Sequence, residues 1–180
     1  MQEVTFVIGL PGSGKSILVD YYRTHPCIHY KIYDDWGECI LNNDNFEIFE
    51  SECRYQNLIS DLNENIPCFI SCIQFCEDEF LESFINHLTQ KFPDIKINRM
   101  YFENNFTNCK INITYRDFKR GGYWEEPTPN NFTYIGEVIN EKPRYRIEIE
   151  NAKRLSKTYT PKKDYTIIPV VSSLDLFLHK

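Results

Sequence analysis

The stretch GLPGSGKS, Gly9 to Ser16, restricts what this chain can fold into more than any other part of it. Gly9, Gly14, Lys15 and Ser16 stand at the fixed positions of G-x-x-x-x-G-K-[ST], a loop that surrounds a phosphate chain with backbone N–H groups. Gly9, Gly12 and Gly14 allow the main chain to approach the phosphates closely, with Pro11 and Ser13 between them in the same cradle. Lys15 is expected to reach the β/γ-phosphates and the Ser16 hydroxyl to ligate Mg²⁺. Such a loop needs a strand before it and a helix after it, because the helix N-terminus supplies the electrostatic attraction for the anion. Both flanks fit. VTFVIG (Val4 to Gly9) reads as a short buried strand, and SILVDYYRTH (Ser16 to His25) carries apolar residues at helical spacing.

The 180 residues suffice for one domain, 1–180, with a sheet covered by helices on both faces. The chain shows no run of about 18 apolar residues and no basic-apolar leader, so it is expected to be cytoplasmic, with no membrane partner. Seven cysteines (27, 39, 53, 68, 72, 76 and 109) include no C-x-x-C pair and read as reduced thiols. Cys68, Cys72 and Cys76 recur every fourth residue, a spacing open to zinc, but CFISCIQF reads more simply as a buried strand in which Cys is a small hydrophobe. The net charge of −6 argues against indiscriminate nucleic-acid coating. Residues 1–109 hold 7 Lys/Arg and 17 Asp/Glu, whereas residues 110–163 hold 12 and 7, so the positive charge is concentrated late in the chain.

Further strands are expected over Ile28–Trp36, ending in the carboxylates Asp34 and Asp35, over Cys68–Phe75, over Ile95–Phe102 and over Asp164–Val170. Helices are expected over Asn45–Asn65, Glu77–Lys91, Asn104–Arg120 (capped by Asn104 or Thr107) and Ile149–Tyr159. The Gly-, Pro- and Asn-rich stretch after Gly121 reads as irregular, with room for a hairpin. Alternating strands and helices imply an α/β fold: a three-layer α/β/α arrangement with a mainly parallel five-stranded sheet and ligands at the carboxyl ends of the strands.

With these pieces in place the chain resembles the small P-loop kinases that include the kinase domain of bacteriophage-type polynucleotide kinase and, more remotely, the zeta-toxin kinases. GLPGSGKS, the double acid Asp34-Asp35, FISCIQF, YFENNFTNCKINITYR and the late LSKTYTP carry the likeness, which covers residues 1 to about 120 and then thins. It implies a P-loop nucleoside triphosphate hydrolase fold with a lid and variable insert at about 104–150, ATP and Mg²⁺ as ligands, and Asp34 as the base at the acceptor hydroxyl, with Asp35 as the alternative. The basic residues Lys110, Arg116, Lys119 and Arg120 are lid candidates. Arg116 and Arg120 lie four apart, so on a helix both guanidinium groups would reach one phosphate chain, Arg116 in catalysis and Arg120 in nucleotide binding; a salt-bridged surface helix is the other reading.

Two positions depart from the family. Trp36, Gly37 and Glu38 stand where the polynucleotide kinase carries an arginine for the acceptor's phosphate, and Cys72 stands where relatives often place an aspartate. The resulting expectation is an ATP-dependent phosphotransferase acting on a hydroxyl, either a polynucleotide 5′ end or a small nucleoside- or sugar-like molecule. The alternative is a nucleotide-binding or slow ATPase regulatory module. No N/T-K-x-D base-reading motif is present, and CFISCIQFC lacks the terminal acid of a motor-type ATPase strand.

Overall fold

Val4, Phe6, Val7 and Ile8 are fully buried, which for consecutive strand residues requires cover on both faces of a sheet. In the computed structural model, whose described residues are 1–25, 30–34, 39–42, 45–48, 53–119, 123–128, 131–135, 138–139 and 142–173, these residues form the central strand. In chain order the elements are β1 (Glu3–Ile8), α1 (Lys15–Thr24), β2 (Lys31–Tyr33), β3 (Cys39–Asn42), β4 (Asn45–Ile48), α2 (Cys53–Asn63), β5 (Cys68–Ser71), a 3₁₀ turn (Ile73–Cys76), α3 (Asp78–Lys91) and β6 (Lys96–Phe102). After them come α4 (Phe106–Lys119), β7 (Tyr123–Thr128), β8 (Asn131–Ile135), β9 (Val138–Ile139), β10 (Lys142–Pro143), α5 (Arg144–Leu155) and β11 (Thr166–Ile168).

Five strands form one all-parallel sheet in the order β2-β5-β1-β6-β11. Helices flank it on both sides. Phe69 of β5 stacks on Tyr22 of α1 with ring centroids 4.6 Å apart, while Phe6 of β1 meets Phe84 of α3 at 5.7 Å. Phe69 pairs in register with Thr5, the neighbour of Phe6, so alternation along the strand sends the two aromatics to opposite faces. The connection leaving β1 runs toward β2 and the one leaving β6 runs toward β11, so the crevice at the carboxyl ends of β1 and β6 is where a ligand is accommodated in such a sheet.

Several sequence expectations are corrected. The helix expected from Asn45 begins only at Cys53; Asn45–Ile48 instead pairs antiparallel with Cys39–Asn42. Its alternating Asn-Phe-Glu-Ile pattern has period two, and the two connecting residues, Asn43 and Asp44, are of the type that short hairpins favour. The strand expected through Phe75 stops at Ser71, and Phe75 and Cys76 are buried by the 3₁₀ turn instead. A continuous apolar run reports burial, not conformation. The α4 cap is Asn105, whose Oδ1 accepts the Asn108 N–H at 3.1 Å, rather than Asn104 or Thr107. The last helix starts at Arg144, directly after Pro143, five residues before the expected Ile149. β7 and β8 supply the hairpin for which the irregular segment left room. Cys68, Cys72, Cys76 and Cys109 are buried and form no disulfide, and among the described residues no group of three metal-ligating side chains forms. No helix among the described residues is long and apolar enough to cross a membrane.

Tyr159, buried beyond α5, closes the sheet's upper edge: its hydroxyl donates to the Phe102 carbonyl at 2.5 Å and lies 3.2 Å from that of Ile8. Tyr159→Phe leaves that buried carbonyl without its donor and is expected to lower unfolding free energy by about 1–3 kcal/mol. Urea denaturation would check this, and an unchanged midpoint would show that the hydroxyl contributes nothing.

Candidate functional site

β1 ends at Ile8 and the chain turns through Gly9–Gly14 before α1 begins. Gly12 and Gly14 have φ of 77° and 103°, left-handed values that an L side chain rarely adopts. Gly14 is also the N-cap of α1 and no side chain caps that helix, so its first-turn N–H groups and the positive end of its dipole face outward. The Lys15 side chain folds back over the loop, donating to the carbonyls of Gly9 at 2.7 Å and Leu10 at 3.0 Å. It is buried, and that desolvation pushes its pKa below the usual lysine range, opposed by the nearby Cys76, Cys109, Asp34 and Cys72. The Ser13 hydroxyl is enclosed in the turn without a hydrogen-bond partner.

A cavity of about 1480 Å³ opens over this loop. Its floor is Pro11 to Ser16. One wall comprises Ile17, Leu18 and Tyr21 of α1, Asp34 at the end of β2, and Cys72 and Ile73 after β5. The α4–α5 wall comprises Asn112, Tyr115, Arg116 and Lys119 of α4 with Arg144, Ile147, Glu148 and Asn151 of α5. Asp34 reaches this space from a strand two places from β1, because β5 lies between them. The Asp34 carboxylate is close enough to act electrostatically on Lys15.

The cradle is held against α4. A Cβ on Gly12 would lie 2.4 Å from the Cys109 carbonyl and 2.8 Å from Ile113, so only glycine lets the helix come this close. Asn112 Nδ2 donates to the carbonyls of Gly12 at 2.9 Å and Val171 at 3.0 Å, while its Oδ1 accepts from Ser173 N at 2.6 Å and Oγ at 2.7 Å. Asn108 donates to the Val170 carbonyl at 2.7 Å, and Asn104 to those of Ser156 and Tyr159 at 2.9 and 2.7 Å. Asn108 and Asn112 thus tie one side of α4 to the loop and to the chain leaving β11, and Asn104, just before the helix, ties its start to the turn after α5.

Of the residues singled out in the sequence, Pro11, Gly12, Ser13, Gly14, Lys15, Ser16, Asp34, Arg116 and Lys119 line the cavity, and Gly9 contributes the carbonyl that holds Lys15. Lys110 is exposed and does not line it. Arg120, Asp35 and Trp36 lie outside the described residues. Arg116 lines the cavity and donates to Glu148, which also accepts from Arg144 Nε at 3.1 Å. Asn112, Tyr115, Arg144, Glu148 and Asn151 were missed by the sequence reading. The concentration of basic residues after 110 signalled Arg144, but nothing marked Asn112 as more than one helix residue among several.

For a phosphate chain the fit is good: an uncapped helix end, left-handed glycines, a buried ammonium and guanidinium groups opposite. Mg²⁺ fits as well. Ser16 is exposed at the cavity floor and Asp34 borders the same space, and Mg²⁺ bound mainly through phosphate oxygens and water needs only one or two protein ligands.

The thiols around Lys15 make stability sensitive to base. Burial pushes Cys76 up to about 12 and Cys109 up to about 11 from 9.0, so the folded state keeps protons that the unfolded chain has released. Stability is therefore expected to fall as pH rises through about 9, and Lys15, whose lowered pKa acts in the opposite direction, offsets part of the loss. Denaturant midpoints between pH 7 and pH 10.5 on wild type and Cys76→Ala, with the variant's decline shallower by one proton, would test this; parallel slopes would contradict it. Comparison with protein-family models and with curated proteins finds no match to this chain.

Proposed function

We propose that the protein is an ATP-dependent phosphotransferase of the P-loop kinase type, moving the γ-phosphoryl group of ATP to a hydroxyl. The observation that carries this reading is the meeting, in one cavity, of the Gly9–Ser16 cradle, a carboxylate at the end of β2 and a wall of guanidinium groups. The size of the cavity supports it further. At about 1480 Å³ it exceeds the roughly 300–1,000 Å³ of an ordinary single-ligand pocket, leaving room for a nucleotide and an acceptor together.

The loop N–H groups and the α1 N-terminus hold the β-phosphate, and Lys15 turns from the Gly9 and Leu10 carbonyls toward the β/γ oxygens. Leaving low-dielectric surroundings for a phosphate anion restores the charge that burial disfavours, so nucleotide binding and Lys15 protonation reinforce each other. Asp34 accepts the hydroxyl proton while the acceptor oxygen forms its bond to the γ-phosphorus. The bond from that phosphorus to the β–γ bridging oxygen breaks, and the electron pair leaves on ADP. Arg116 and Arg144 meet the charge on the transferring group. Ser16 would hold Mg²⁺ together with the phosphates, Asp34 bordering the same space, and the ion would supply neutralisation of phosphate charge there.

Lys15→Ala is expected to reduce nucleotide turnover about a hundredfold or more with the fold retained. Turnover at the wild-type rate would make the loop a bystander. Asp34→Asn separates transfer from binding: transfer to the acceptor is expected to drop about a hundredfold or more while the ATP dissociation constant moves only a few-fold. Tight ATP binding by wild type with no transfer to any hydroxyl acceptor would favour the regulatory-module reading instead.

A further inference from the structure

The two walls of the cavity differ in charge. Apart from Lys15 on the floor, the described cations that line it, Arg116, Lys119 and Arg144, all stand on α4 and α5, on the β6/β11 side of the loop. The wall around Asp34, on the β2/β5 side, consists of Ile17, Leu18, Tyr21, Cys72 and Ile73. In the sequence, the stretch between Ile32 and Cys53 contains Asp34, Asp35, Glu38, Asp44, Glu47, Glu50 and Glu52 and no Lys or Arg. The cations that bound this stretch, Lys31 at the opposite end of β2 and Arg54, do not line the cavity.

From this segregation, and resting on the phosphotransferase reading, we infer that the acceptor is a small alcohol without anionic groups, neutral or amine-bearing, and not a nucleic-acid 5′ end. The nucleotide's negative charge is met from the α4–α5 wall and the cradle, which leaves the Asp34 wall to meet the acceptor. A polynucleotide presents a phosphodiester close to its terminal hydroxyl, and proteins position such a backbone chiefly with Lys and Arg. Here the phosphodiester would approach a carboxylate and apolar side chains with no cation among the described residues to receive it. Like charges brought together on a desolvating surface discriminate strongly against the wrong partner. A neutral sugar or nucleoside meets no such repulsion, its apolar face rests against Ile17, Leu18 and Ile73, and an ammonium group is attracted by the Asp34 carboxylate.

The test compares transfer from γ-labelled ATP with Mg²⁺ to a 5′-hydroxyl oligonucleotide, to thymidine, which has the same hydroxyl and no phosphate, and to glucosamine. At least one of the two small acceptors is expected to exceed the oligonucleotide in kcat/KM by about a hundredfold or more. The thymidine and glucosamine arms tell a neutral acceptor from an amine-bearing one. Ile17→Arg places a cation on the Asp34 wall at a side chain already 75% exposed, where the fold tolerates it. It is expected to narrow the gap by about tenfold and to increase oligonucleotide binding measured by fluorescence anisotropy at low salt. Preferred transfer to the oligonucleotide by wild type would overturn the inference and leave the phosphotransferase reading standing. Failure of transfer to all three, with Lys15-dependent ATP binding intact, would overturn both.

Discussion

The contact between Gly12 and α4 is the constraint on which the rest of the site depends. A glycine-rich turn is poor in side chains, and by itself it buries little apolar surface. Here its left-handed Gly12 is packed under the Cys109 carbonyl, and its own carbonyl is held by Asn112. The same asparagine holds Val171 and Ser173, so loop, helix and the exit of β11 share one hydrogen-bonding centre. The loop is therefore held in place by a helix that is remote in sequence. This arrangement also explains the buried Lys15: with the loop held in place, the Gly9 and Leu10 carbonyls form a ready acceptor pair for an ammonium that would otherwise be costly to enclose.

Fixing α4 against the loop fixes the electrostatics as well. The helix carries Arg116 and Lys119 to the β6/β11 side of the cavity, and α5, packed along it, adds Arg144. β2 carries Asp34 to the other side. The sheet order thus puts the described cavity arginines, with Glu148 between them, on one side of the cradle and Asp34 on the other, and under the proposed function two ligands are held at once without competing for the same groups.

Much of the sheet was legible in the sequence because buried parallel strands and amphipathic helices write their periods directly into it. β1, α1, α3 and β6 fall within a residue or two of expectation for that reason. What was illegible depended on partners distant along the chain. Asn45–Ile48 alternates over only four residues, too few to outweigh the helical spacing of the residues after it. The start of α5 alternates charged residues with the partly buried Tyr145, Ile147 and Ile149, a period of two that hides the helix, so helical spacing emerges only near Ala152 and Leu155. Within the site, the cradle could be read because its chemistry is local. Asn112 and Glu148 could not, since an asparagine or a glutamate on a helix acquires its role only from what the fold brings opposite it.

Glu148 shows how such a late-acquired role works. It binds two arginines on a half-exposed wall, and ion pairs in that setting contribute only about 0–1 kcal/mol each, too little to explain the cluster as a stabilising device. A carboxylate shared between two guanidinium groups does something else: it holds both forks at the cavity wall, limits their rotamers and prevents them from repelling one another while no anion is present. Because those pairs are weak, an arriving phosphate can take over either guanidinium without disturbing the packing beneath. Under the proposed function the wall is then both ordered and exchangeable, and the rigid element underneath it is α4, held by the contact with Gly12.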